Sequence, residues 1–187
     1  MVKPPFGTAE EKKWQVMDQK AVTRNPWYRV LESRVQMPDG RTTTYHILDF
    51  LKSAVGVVAR RDDEILLIRQ YRFIIDQFVW AIPSGGSEGN EDPRVAAERE
   101  LEEETGYRAE QLTRIHSYFP SYGCGNQEFH LFLAEGIHSS PERFDRNEVL
   151  EVRWFPIREI KEMILAEHMV DGLSLTPLLF LCAREGW

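Results

Sequence analysis

The chain has 187 residues, 42% hydrophobic and 28% charged, with 12 Gly, 10 Pro and a formal net charge of −7. That size and balance predict one core-forming domain and exclude collagenous, low-complexity and disordered classes. An acidic chain lacks the basic field that general nucleic-acid binding needs, so an anionic substrate has to be met locally by placed arginines or by a metal ion. Apolar runs such as 178–182 fall far short of the roughly 20 residues of a membrane span. No apolar leader follows Met1. Cys124 and Cys182 form neither a disulfide framework nor a metal-ligand spacing, and together these features predict a cytoplasmic location.

Residues 1–13 read as a solvated, flexible arm. The pattern then turns to strands over Trp14–Val22, Tyr28–Gln36 and Arg41–Leu48, the last two flanking the turn Pro38-Asp39-Gly40. Ser53–Ala59, Glu64–Ile68 and Phe78–Ile82 read as short buried strands. A helix follows, with Asp92 as N-cap, Pro93 at its first position, good helix formers over Arg94–Thr105, and Gly106 as its left-handed stop. Leu112–Phe119, Glu128–Ala134 and Glu148–Phe155 are further strands. Pro156 opens a helix to about Glu167, and Pro177 opens a last one. The sum is an antiparallel β section over 14–50 ahead of a mixed α/β (α+β) domain over 51–187.

At about 100° per residue, Glu103 and Glu104 fall within about 60° of Glu100, while Glu98 and Glu102 lie on the opposite side of the helix. Three like charges on one face oppose one another's ionisation. Solvation relieves that cost; so does a divalent cation, and grouped carboxylates suit Mg²⁺ or Mn²⁺. A glycine-rich loop directly off a buried strand, where backbone approaches a ligand closely, favours the cation.

Gly85, Glu91, Arg99, Glu100, Leu101, Glu103, Glu104 and Gly106 stand in the register of the Nudix box, G-x5-E-x7-R-E-U-x-E-E-x-G-U, with Tyr107 at the final bulky position. The chain thus resembles the Nudix hydrolases. The resemblance implies an α/β/α sandwich with a mixed sheet, and hydrolysis of a nucleoside diphosphate joined to another group. It also implies Glu100, Glu103, Glu104 and the carbonyl of Ser84 as metal ligands, with Arg99 and Glu91 orienting them.

Beyond the box, the chain is similar to the ADP-ribose and nucleoside-diphosphate-sugar pyrophosphatase branch. Trp27 and Tyr45 sit where relatives stack aromatics on a nucleobase, with strand packing as the alternative. Arg69-Gln70-Tyr71-Arg72 resembles a phosphate-binding segment, with Arg69 or Arg72 as the clamp. Glu148 resembles a further glutamate, either a metal ligand or a general base, with Glu151 and Asp145 as substitutes. The N-terminal hairpin resembles a section that swaps across a homodimer. Pro120–Gln127 departs from the branch's pattern, with Tyr122 and Gln127 at altered positions, and so bears on substrate identity. Alternatives are a dinucleoside-polyphosphate or cap hydrolase, a non-hydrolytic nucleotide-binding module, and an isopentenyl-diphosphate-type isomerase whose lone cysteine candidate is Cys124. No nucleophile elbow, P-loop or zinc spacing supports other chemistry.

Overall fold

The computed structural model describes residues 13–140 and 148–187, so the arm expected over 1–13, apart from Lys13, and the candidate Asp145 lie outside the described residues. Two compact units are formed, one from the chain up to Leu51 together with Ser121–Asn126, the other from Lys52–Pro120 and Gln127–Trp187.

In the first unit β1 (Gln15–Arg24), β2 (Tyr28–Gln36) and β3 (Thr42–Phe50) make an antiparallel sheet in chain order. The hairpin turn forms as its residues dictate. Gly40 adopts φ +88°, and the Met37 and Arg41 backbones close the loop at 2.8 Å. Ser121–Asn126 is fastened to β3. The Leu48 N–H donates to the Cys124 carbonyl at 2.7 Å, and Asn126 bridges the Phe50 N–H and the Asp49 carboxylate.

The second unit carries a seven-stranded sheet. Its strands are β4 (Ala54–Arg61), β5 (Glu64–Arg72), β6 (Gln77–Ala81), β7 (Ser84–Gly86), β8 (Tyr107–Tyr118), β9 (Phe129–Ser139) and β10 (Glu151–Pro156). Their order is β10-β5-β4-β9-β8, with β6 beside β5 and β7 beside β4. The β4–β9 pair is parallel and the others antiparallel, so the sheet is mixed as expected.

Both faces are covered, which explains why these strands read as unbroken apolar runs. Val55, Val57 and Leu66 pack under α1 (Pro93–Thr105) with Ala96, Ala97 and Leu101. Val58, Ile65 and Leu67 pack on the other face against α2 (Ile157–Leu165) and α3 (Gly172–Glu185) through Ile160, Leu178 and Leu181. Ile65–Ile68 are wholly buried, each contributing roughly 1.5–3 kcal/mol relative to exposure. The last helix corrects the expected start at Pro177. Asp171 accepts the Ser174 N–H and opens α3 at Gly172, leaving Pro177 buried inside it, because a side-chain cap outweighs the proline signal.

Candidate active site

The polypeptide enters the site through a pinned corner. After β6, the buried Ile82 N–H donates to Ser174 Oγ at 3.0 Å, and the Pro83 carbonyl accepts the Val57 N–H at 2.9 Å. Ser84–Gly86 then pairs with β4, and α1 begins seven residues later, capped by Asp92 on the Arg94 N–H at 2.8 Å. Gly106 closes it at φ +70°. At Gly85 the backbone passes directly over α1: a Cβ there would collide with the Glu100 carboxyl group.

Arg99 is the hub of the helix face. Its guanidinium donates to both oxygens of Glu91 (3.2 and 3.1 Å), to Glu100 Oε1 (2.9 Å), to Glu103 Oε2 (3.0 Å) and to the Gly86 carbonyl (3.0 Å). These bonds hold the Glu91 carboxyl below its usual range, aided by the Glu88 N–H, and push the guanidinium pKa further up. One planar fork thereby orients three carboxylates, which a lysine could not do.

Glu104 is held differently. Burial pushes its pKa up to about 8, against the pull of the Ser84 N–H. The Ser84 N–H donates to Oε2 at 2.6 Å and the buried Gln70 Nε2 to Oε1 at 2.9 Å, while Gln70 Oε1 is buried without a partner. Burial also raises Glu100, partly offset by Arg99, and the charges of Glu103 and Glu148 add to the rise. Glu148 therefore stands within electrostatic reach of Glu100.

This arrangement sets a pH dependence for the metal-free chain. An unfolded Glu104 ionises from about 4.5, whereas the folded one keeps its proton to about 8. The unfolded state thus binds fewer protons across that window, and stability falls as pH rises through it, by up to about 1.4 kcal/mol per pH unit. In EDTA, the melting temperature of Glu104→Gln should change less with pH between 5 and 8 than that of the unsubstituted chain. Parallel profiles would mean that the buried carboxyl is ionised throughout.

The arginine segment lies within β5, not after a strand as its sequence suggests. Alternation along that strand separates its members. Gln70 reaches Glu104, and the charge of Arg72 is felt there too. Arg69 faces the other side, over the Phe78 ring at 5.3 Å and 3.9 Å from Glu151. Arg72 therefore stands by the acidic helix, while Arg69 engages the substitute candidate Glu151. Ser84 meets the cluster through its N–H. Trp27 and Tyr45 are not brought together: Trp27 precedes the Tyr28–Phe50 pair and Tyr45 faces Ser33, about 20 Å apart along the ladder. Tyr45 packs edge-on against Trp14 at 6.0 Å, and Trp27 is 69% exposed. Sequence reasoning missed Gln70. Its place two positions before Arg72, on a strand whose side chains alternate with period two, was the signal available.

A NUDIX domain model matches residues 50–173. The chain belongs to the Nudix family. It is 31% identical over 174 residues to a CMP-5'-(N-acetyl-N-hydroxy-3-aminopropyl)phosphonate hydrolase of Streptomyces rubellomurinus, covering 93% of this chain and 84% of that protein. It is 30% identical over 154 residues to an ADP-ribose pyrophosphatase of Bacillus subtilis, covering 81% of this chain and 83% of that one. The crystal structure of an ADP compounds hydrolase superposes with a TM-score of 0.82 at 19% identity over 96% of both chains, a likeness of fold.

The donor set of this Nudix chain is all oxygen, which suits hard divalent cations. Among the described residues no three acidic, histidine or cysteine side chains converge as they stand. The reason is visible: Arg99 holds Glu100 and Glu103, while Gln70 and Ser84 hold Glu104. The two-point grip on Glu91 would keep Arg99 in place were the bonds to Glu100 and Glu103 exchanged for an ion.

Proposed function

We propose that this protein is a divalent-metal-dependent pyrophosphatase that splits the diphosphate of a nucleoside diphosphate derivative, with ADP-ribose and related nucleotide sugars as the expected substrates. The observation that carries the reading is the grouping of carboxylates on one helix, Glu100 and Glu103 on Arg99 with Glu100 beneath Gly85, and Glu104 on the Ser84 N–H and Gln70, with Arg72 on the same side. The names of the two relatives support it, since both describe hydrolysis of a nucleotide joined to a second group.

Glu100, Glu103 and Glu104, with Glu148 and the Ser84 carbonyl, would hold Mg²⁺ or Mn²⁺. Such an ion neutralises phosphate oxygens and acidifies water. Arg72 binds a phosphate by paired N–H donors. Water attacks one phosphorus, the bridging P–O bond breaks, and the products are a nucleoside monophosphate and a phosphorylated second group. Glu103 or Glu148, both exposed, takes the proton of the attacking water. Trp27 offers a stacking face to a nucleobase. A homodimer in the cytoplasm completes the proposal.

The test is product analysis on ADP-ribose, several nucleotide sugars, a dinucleoside polyphosphate, capped RNA and a cytidylyl phosphonate, with Mg²⁺ or EDTA. Mg²⁺-dependent release of AMP from ADP-ribose, or of the monophosphate from a nucleotide sugar, is expected. Binding of these nucleotides without cleavage would overturn the reading in favour of a binding module.

A further inference from the structure

Beside the acidic helix lies a cavity of about 430 Å³, within the roughly 300–1,000 Å³ typical of small-molecule sites. Ser84 and Arg72 line it, and both bear on Glu104 through the Ser84 N–H and the Arg72 charge. Its remaining walls are mostly apolar, with Val79, Ala81, Leu173 and Val170 and the tip of the β5–β6 hairpin as a rim; the one carboxylate among them, Asp171, has Oδ1 on the Ser174 N–H and Oδ2 buried. That rim leaves Phe73 78% and Ile74 84% exposed, a cost in water that a solvated loop would not carry. The rim is also preformed. Tyr71 Oη donates to Asp76 at 2.7 Å, its ring packs on Phe78 at 5.1 Å, and the Ile75 N–H closes on the Arg72 carbonyl at 3.1 Å.

Resting on the pyrophosphatase reading, we propose that this cavity is a specificity subsite for a weakly polar ring or chain that the substrate carries near its diphosphate. Walls with few hydrogen-bonding groups cannot satisfy the hydroxyls of a sugar, and burying those hydroxyls unpaired is unfavourable. An aliphatic group meets no such penalty and a flat base meets it only at its edge, and Arg72 sets a phosphate of the same substrate beside the carboxylates. Two parts of a substrate have this chemistry: an apolar second group joined directly to the diphosphate, or the nucleobase one ribose away from it.

Val170→Trp fills the cavity from its wall and Ile75→Trp from its rim, neither changing charge, and Ile75→Phe fills it less should either fold poorly. Affinities for AMP, ADP-ribose, the hexyl ester of ADP and inorganic pyrophosphate are measured by calorimetry in EDTA, with circular dichroism as the check on folding. The filled variants should lose about tenfold or more, as expected for about 60 Å² of apolar contact. Loss on AMP, ADP-ribose and hexyl-ADP alike, with pyrophosphate unchanged, assigns the subsite to the base. Loss on hexyl-ADP alone assigns it to the second group. Folded variants that bind all four ligands as the unsubstituted chain does would overturn the proposal. Hydrolysis with Mg²⁺ is followed in parallel: a chain that binds but cleaves nothing defeats the pyrophosphatase reading and leaves this comparison standing.

Discussion

Glu103→Gln and Glu104→Gln should each lower kcat/KM on the preferred nucleotide by more than about 100-fold, beyond the loss of roughly 10–100-fold that follows removal of a group merely supporting a metal ligand. Each change is nearly isosteric. In the first variant the new amide oxygen still accepts from Arg99 Nη1, as Glu103 Oε2 does at 3.0 Å, so the helix face keeps its hub. In the second the amide keeps one acceptor for the Ser84 N–H, and its new N–H₂ meets Gln70, whose buried partnerless Oε1 can turn towards it. What is lost is a carboxyl able to carry negative charge beside a cation. A buried carboxyl with its pKa pushed up to about 8 opposes the fold at neutral pH, so Glu104→Gln should melt at or above the unsubstituted temperature in EDTA at pH 8. Loss of activity together with unchanged or higher stability separates a functional carboxylate from a structural one. Rates near normal in both variants at saturating Mg²⁺ would sink the proposed mechanism.

The parts of this molecule that were legible in its sequence are those fixed by neighbours in the chain. Asp92, Pro93 and Gly106 delimit α1 because caps act within one turn, and the predicted helix and observed helix coincide. Pro38-Asp39-Gly40 sets a hairpin for the same reason. The strands β4 and β5 were visible as apolar runs because helices cover both their faces. The rest depended on contacts distant in sequence. Gln70 meets Glu104 across 34 positions, and nothing local to either residue announces it. Asn126 reaches Asp49 and Phe50 across more than 70 positions, which ties Ser121–Asn126 to β3 and leaves Tyr122 89% exposed. Trp27 and Tyr45 look like partners on facing strands until register is known, and register places them far apart. Local propensity also misled once, at Pro177, where a cap six residues earlier decided the helix start.

Gly85→Ala should cost about 100-fold in kcat, the penalty for misplacing a reacting group by about 1 Å, while Gly86→Ala should cost little. The two glycines are neighbours on one short strand, and neither has a positive φ, so alanine strains neither backbone. They differ in what a Cβ would meet. At Gly86 nothing lies within 4 Å, whereas at Gly85 the Glu100 carboxyl lies far inside any real contact distance. The backbone cannot recede, because Gly85 is paired with Val55 of β4, which is wholly buried. Glu100 must therefore swing away, breaking its 2.9 Å bond from Arg99 and leaving the face it shares with Glu103 and Glu104. The end of a flexible side chain moves at modest cost to stability, so the melting temperature should hold while Mg²⁺ binding and turnover fall. Shortening the displaced side chain restores room for the new methyl group, so Gly85→Ala with Glu100→Asp should bind Mg²⁺ more tightly than Gly85→Ala alone. Equal activity of Gly85→Ala and Gly86→Ala would show that the carboxyl of Glu100 has no part in the chemistry, and would leave the close approach at Gly85 as packing.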